Sequence, residues 1–289
     1  MLALVPQIIV DGLLLGAVYA IVSVGLTMVF GVMRIVNFAH GDFLMLGMYL
    51  TYVGATMLGF DPYLALLLVL PIVTLCAAAA YQLLIRPIIG TAEHNQVLVT
   101  LGLSLVLQNL ALVVFSADLH TIPSRLAASK FYLGSVIVRT PSAIACGVSI
   151  LVCLALYRFL RTTDLGRRIR ATAEDRDAAS LCGVSVNRMY LLAFCIGTGS
   201  LGLVAPLLAP FLYVAPTLGI NFTLTAFIIV VLGSIGSFIG ALVGGLLIGV
   251  VETLGGLLTS GSMPYLLTYA VFVLVLLFRP AGLFGRARL

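Results

Sequence analysis
Side chains able to do chemistry gather in two stretches of this chain, each set between long apolar runs. The first, Arg34-Ile-Val-Asn37-Phe-Ala-His40-Gly-Asp42-Phe43, brings a cation, an amide, an imidazole and a carboxylate together. Two readings are open. It is a polar turn whose groups satisfy one another, or a break between helices that lines the route of a polar solute. Ionisable groups at membrane depth are costly and mark pathways, and broken helices bind substrates near the midplane. Catalysis by His40 and Asp42 is the weaker reading, because no serine or cysteine nucleophile and no second histidine lies close in sequence. Glu252, inside another apolar run, is the only acid between Asp177 and the C-terminus. It is a carboxyl hydrogen-bonded to a neighbouring helix, or a part of the pathway or its gate. Gln108 and Asn109 are interhelical hydrogen bonders on the same reasoning, and Gln108 is also a pathway candidate.

The second stretch runs from Arg158 to Arg188. It holds Arg158, Arg161, Arg167, Arg168, Arg170, Arg176 and Arg188, seven of the fifteen basic residues, and Asp164, Glu174, Asp175 and Asp177 of the ten acids. A chain that concentrates charge in one internal loop presents that loop to something in water. Thr172-Ala-Glu-Asp175 fits a capping box with Asp175 at the third helical position. Gly183 fits the left-handed stop of a helix. The predicted helix covers Ala173 to Cys182, about 15 Å long, with Ala171, Ala178, Leu181 and Cys182 near one face. Such a helix lies flat on anionic lipid or docks into a protein groove, and the interleaved acids favour the groove. Lys130 is the only lysine and Phe131 follows it, so no Gly-x-x-x-x-Gly-Lys-Ser/Thr phosphate loop exists here. If ATP drives this protein, another chain hydrolyses it.

The elements that position these groups follow from composition. Of 289 residues, 62% are hydrophobic and 9% charged, and the mean hydropathy is +1.23. Soluble chains carry about 25% charged residues, so this is an all-α polytopic membrane protein. No polar linker divides it, and residues 1–289 form one domain with a cytoplasmic loop at 161–187. Spans of roughly 20 apolar residues are predicted at Val5–Phe30, from after Asp42 to Leu58, Tyr63–Ile85, Val97–Phe115, 141–160, Arg188–Ala209, 222–234, Ser237–Leu258 and Pro264–Phe278. The count is eight or nine, since 222–260 also reads as one broken span and one full span. The alternating Phe131–Val138 stretch predicts a small hairpin. The start lacks the basic region of a secretory signal and reads as a retained first span. With the 158–188 loop in the cytoplasm, Arg34, Arg86 and the tail arginines Arg279, Arg286 and Arg288 fall inside too, as the positive-inside bias requires. Only Arg125, Lys130 and Arg139 then face out. The net charge of +5 is therefore topological and no sign of nucleic acid. The five cysteines show no metal or disulfide spacing. Glycines at 233, 236, 240, 244, 245 and 249 allow close helix approach, within the chain, with a partner subunit or at a flexible gate.

Three stretches together resemble a known family. Val36-Asn-Phe-Ala-His-Gly-Asp-Phe43, the Thr172–Val184 loop and Arg279-Pro-Ala-Gly-Leu-Phe-Gly285 are similar to motifs of the permease subunits of branched-chain amino acid ABC importers, the H type of two paralogous permeases. The resemblance covers essentially the whole chain. It implies a bacterial inner-membrane subunit paired with a second, paralogous permease. Two cytoplasmic ATP-binding subunits would use the ATP and magnesium, and a periplasmic or extracellular solute-binding protein would deliver the amino acid. It also implies that the loop helix couples to the ATPases, with Glu174, Asp175, Arg176, Ala178, Leu181 and Gly183 as contact residues. Asn37, His40, Asp42, Gln108 and Glu252 are then the pathway or gate candidates. No cofactor is expected in the chain itself. Related permeases serve urea, short amides or aromatic acids, so these remain alternative cargoes. A stand-alone secondary transporter would need ion-coupling acids in its spans, and only Glu252 qualifies clearly. A membrane-embedded enzyme would need a nucleophile or metal set that is not found.

Overall fold
The computed structural model describes residues 5–122, 124, 126, 129–134, 136–258, 264–279 and 281–285. Among these the chain forms eleven α-helices. They are α1 (Val5–Met33), α2 (His40–Met57), α3 (Pro62–Ala80), α4 (Glu93–Phe115), α5 (Thr140–Thr162), α6 (Asp164–Glu174), α7 (Arg176–Leu181), α8 (Val186–Leu208), α9 (Leu218–Gly233), α10 (Phe238–Leu258) and α11 (Pro264–Phe278). Six are long and apolar enough to cross a membrane: α1, α3 with its extension to Ile88, α4, α5, α8 and α10. The apolar α9 and α11 are shorter. With α2 these make nine bundle helices among the described residues, and α6 and α7 are the two helices of the arginine loop. The expected hairpin is present as β1 (Lys130–Leu133) and β2 (Val136–Arg139), antiparallel with Phe131 opposite Val138.

Local chemistry places the ends. Asp61 caps α3 by accepting from the Tyr63 N–H at 3.1 Å, and Pro62 occupies the first turn, where its missing N–H costs nothing. Pro71 lies inside α3, as expected. The last turn widens into a π-helix at Tyr81–Ile85 before Arg86–Pro87. Met33 ends α1 and Arg34 follows at φ 56°, a left-handed position that glycine usually fills.

The core is built around α1, which packs on α10, α8, α5 and α9. Of its apolar span 78% is buried, against 17% for α4 and for α5. The first helix is therefore the bundle axis, and α4 and α5 face the surroundings. The glycine tract resolves to packing inside the chain: Gly245 and Gly249 of α10 lie against Ala20, Gly12 and Gly16 of α1, and Gly240 lies against Gly233.

Contacts sort the loops to two ends. At one end Gln7 of α1 bonds to Ile137 of the hairpin, and His120 pairs with Val214. At the other, Arg34, Gly90–Glu93 and Thr172–Asp177 line one cavity, and the Leu283 N–H bonds to the Leu232 carbonyl at 2.8 Å. Arg34, Arg86, Arg279 and the arginine loop thus share one end of the bundle, as the expectation drawn from the basic bias requires. Lys130 and Arg139 lie at the opposite end. Arg125, Arg286 and Arg288 lie outside the described residues, as does Pro280 of the C-terminal motif.

Candidate functional site
The chain leaves the helical path after Arg34 and re-enters it at His40. The His40 ring bonds through Nε2 to the Val22 carbonyl at 3.0 Å. Val22 lies about 16 Å inside the Arg34 end of α1, at 1.5 Å per residue, so α2 starts near the middle of the 29-residue first helix. A carbonyl only accepts, so the His40 Nε2 carries the hydrogen. Inside the break the Asn37 Oδ1 accepts from the Ala39 N–H at 3.2 Å, and Thr100 of α4 donates to the Val36 carbonyl at 3.1 Å. Asp42 sits in the first turn of α2, where the helix dipole favours an acid. Gln108 of α4 donates to its Oδ1 at 3.1 Å and to Ser104 at 2.9 Å.

A second helix begins at the same depth. Thr223 of α9 accepts from the Gly41 N–H at 2.8 Å. Gly41 and Gly219 touch through their backbones, and a Cβ on Gly219 would sit 2.8 Å from the Asp42 Cα. Only glycine permits that approach. Two helix N-termini therefore adjoin at mid-membrane, an arrangement that favours negative charge. Asn37, His40 and Asp42 are each at most 1% exposed. The Asn37 Nδ2, His40 Nδ1 and Asp42 Oδ2 have no hydrogen-bond partner among the described residues. The break is a polar station with spare hydrogen-bonding capacity.

The structure thus brings Asn37, His40, Asp42 and Gln108 together and places Glu252 in the adjoining layer. Tyr19 donates to the Glu252 Oε1 at 3.0 Å, and its ring meets Phe222 edge-on at 5.6 Å. Phe222 precedes Thr223, so α9 joins the two layers. Asp42 is a second intramembrane acid beside Glu252, which the reading of the chain as a string of spans had not separated from the loops. Asn109 bonds back to the Leu105 carbonyl and bridges no helices. Gly219, Thr223, Ser104 and Tyr19 were not singled out from the sequence. The small and hydroxyl residues four apart at Gly219 and Thr223 were the available signal.

The arginine loop folds differently from the expectation in one respect. Thr172 is no cap: it lies inside α6, 2% exposed, and donates to the Arg168 carbonyl at 2.9 Å. Thr163 caps α6, accepting from the Gly166 N–H at 3.0 Å. The second helix starts at Asp175, whose Oδ1 accepts from Asp177 and Ala178 N–H at 2.9 and 3.0 Å. The Asp175 carboxylate competes for the backbone and splits the predicted ten-residue helix in two. Gly183, at φ 79°, is the expected stop, and the Val184 N–H closes the turn on the Ala179 carbonyl at 3.0 Å. Helix α6 is held by its buried Gly166, Ile169 and Thr172. At its start the Arg167 guanidinium pairs with Asp164 and holds that carboxyl below the usual range.

Helix α7 has one anchor, Ala179. Glu174, Asp175, Arg176, Ala178, Leu181 and Gly183 are all exposed. Leu181 is 90% exposed, a large apolar side chain held out among charges. Beside α7 a cavity of about 450 Å³ runs between Arg34, Glu93, Gln96 and Asp175. Among the described residues no group of three or more His, Cys, Asp or Glu side chains is placed to hold a metal.

The family described as "Branched-chain amino acid transport system / permease component" matches residues 8–276. The high-affinity branched-chain amino acid transport system permease protein BraD of Pseudomonas aeruginosa is 32% identical over 97% of this chain and 95% of its own length. The LivH permease of Salmonella typhimurium is 34% identical over 96% and 94%, and LivH of Escherichia coli K12 is 33% identical over the same shares. No solved structure gives a significant match. A bundle with a mid-membrane polar break, no nucleotide loop of its own and this similarity along nearly its full length identifies the chain as a member of the permease-component family of branched-chain amino acid transport systems.

Proposed function
We propose that the chain is the transmembrane permease subunit of an ATP-driven importer for branched-chain amino acids in a bacterial inner membrane. It pairs with a second, paralogous permease. Two cytoplasmic ATP-binding subunits hydrolyse ATP with magnesium, and an extracytoplasmic solute-binding protein delivers the cargo. The chain itself needs no cofactor. The observation that carries the reading is α7. A six-residue helix with one buried anchor and a leucine 90% in water has no use to a solitary carrier. It suits a groove on a partner, where a buried apolar side chain ringed by charges becomes a binding hot spot. The relatives' printed substrate, branched-chain amino acids, fits a mid-membrane station with few polar contacts. A zwitterion's carboxylate suits the paired N-termini of α2 and α9.

In this reading nucleotide state biases two packings of the permease pair. The cavity between Arg34 and Asp175 places α7 beside the end of α1 and the start of α4. Movement of α7 therefore reaches two of the three helices that hold the polar break. The test is the double charge reversal Glu174→Lys with Arg176→Glu in the reconstituted transporter. Uptake should be lost while ATP hydrolysis continues and the permease stays inserted. Normal coupled uptake in that variant would remove α7 from the coupling route.

A further inference from the structure
A second cavity lies on the cytoplasmic half of the bundle, between α1, α5, α6 and the start of α10. Its volume is about 340 Å³. The exposed Arg161 and Arg170 line it. The Arg161 guanidinium lies 4.9 Å over the Tyr157 ring, and the Arg170 Nε donates to the Leu160 carbonyl at 3.0 Å. Neither arginine has a carboxylate within 4.0 Å among the described residues, and no acidic side chain lines the cavity. The N-terminus of α10 opens onto the same space at Ser237 and Phe238. Thr27 of α1 lines it as well: it is 4% exposed, and its Oγ1 has no partner among the described residues. The cavity thus offers two uncompensated cations, the N-terminus of α10, where among the described residues the Ser237 Oγ accepts only the Gly240 N–H, and a buried idle hydroxyl.

The far side of the cavity is of opposite character. Tyr157, Phe238 and Ile239 are shared with an apolar groove of about 200 Å³ that continues along Cys153, Leu154 and Leu242. That groove leads away from the cytoplasmic ends of the helices into the hydrocarbon layer. A ligand filling both parts has an anionic head at the membrane surface and an aliphatic chain beneath it. We propose that this groove is a site for an anionic phospholipid. Its phosphate is held by Arg161, Arg170 and the first turn of α10, and an acyl chain lies along Leu154 and Leu242. Guanidinium groups bind phosphate bidentately, and basic pockets between spanning helices on the cytoplasmic side retain anionic headgroups. The headgroup ties the end of α5 to the start of α10 and the middle of α6.

Native mass spectrometry of the assembled transporter tests this. The complex is washed in mild detergent and offered vesicles of equal phosphatidylglycerol and phosphatidylcholine. Phosphatidylglycerol should be retained preferentially. Arg161→Gln with Arg170→Gln should lower that retention roughly tenfold, while the paired Arg→Lys variant keeps most of it. Ile239→Trp, which fills the apolar part and leaves both arginines, should also expel the lipid. These last two variants keep the question open to refutation should the glutamine pair fail to fold. Equal retention of the two lipids overturns the site. So does unchanged retention in the glutamine or the tryptophan variant, or an Ile239→Cys cross-link to the second permease subunit.

Discussion

The mid-membrane break and the cytoplasmic arginine loop hold the same kinds of side chain in opposite surroundings. Asn37, His40 and Asp42 are at most 1% exposed and are gripped by α1, α4 and α9. Glu174 ends α6, Asp175 caps α7 and Arg176 opens it, all three exposed beside a helix with one anchor. In the break the polar groups are held by the Ala39 and Val22 backbone and by the Gln108 side chain, so a change there disturbs the fold around them. In the loop only Asp175 among these side chains serves the fold, as the cap of α7, so a change at Glu174 or Arg176 reaches only what binds. The difference separates a site that must be built from one that must be offered.

The contrast can be broken most severely at Gly219. Gly219→Val puts side-chain atoms against the Asp42 backbone, and overpacking of this kind costs about 3 kcal/mol. The variant should insert poorly and melt early in a thermal shift of the purified complex; wild-type stability would mean the α2–α9 contact is loose. Next is Leu181→Asp, expected to cost about 2 kcal/mol of partner binding and to lower ATP-driven uptake at least tenfold with an unchanged melting temperature. A matching loss of thermal stability would place Leu181 in the fold instead of the interface.

His40→Ala should reduce transport through the break, and Gln108→Leu should reduce it by removing the donor to Asp42. If both variants leave uptake at wild-type level, the polar station is structural only. A smaller effect is expected at Arg34, the left-handed residue at the cytoplasmic end of α1. Arg34→Gly should relieve about 1 kcal/mol of backbone strain and raise the melting temperature while weakening coupled uptake. The smallest is Asp175→Ala, which removes the cap of α7 at about 1 kcal/mol and should speed hydrogen exchange at 176–181 without moving the melting temperature.

Much of this contrast is legible in the sequence, and its gaps have physical reasons. The hydrophobic runs locate the nine bundle helices to within a few residues because lipid demands length and apolarity together. Gly183 marks its stop because only a left-handed position explains a glycine there. Thr172 misleads because Thr163 and Asp175 offer competing caps on either side, and the backbone takes both. The depth of the His40 segment is invisible locally. It depends on Val22 eighteen positions earlier and on Gly219 and Thr223 some 180 positions later, and no periodicity encodes such pairings. The glycines of α10 show close packing but not with which helix, so their partner in α1 emerges only from the fold.

One detail at the outer end has a mechanical meaning. The side-chain amide of Gln7 pairs with the Ile137 backbone through both its groups, each at 2.8 Å, as a neighbouring strand would. The hairpin is thereby clasped to the tip of α1, whose 29 residues run unbroken to the cavity beside α7. A pushrod some 43 Å long then joins the hairpin end of the bundle to the arginine-loop end. Tugging at either end should be felt at the other without any relay of small side-chain adjustments.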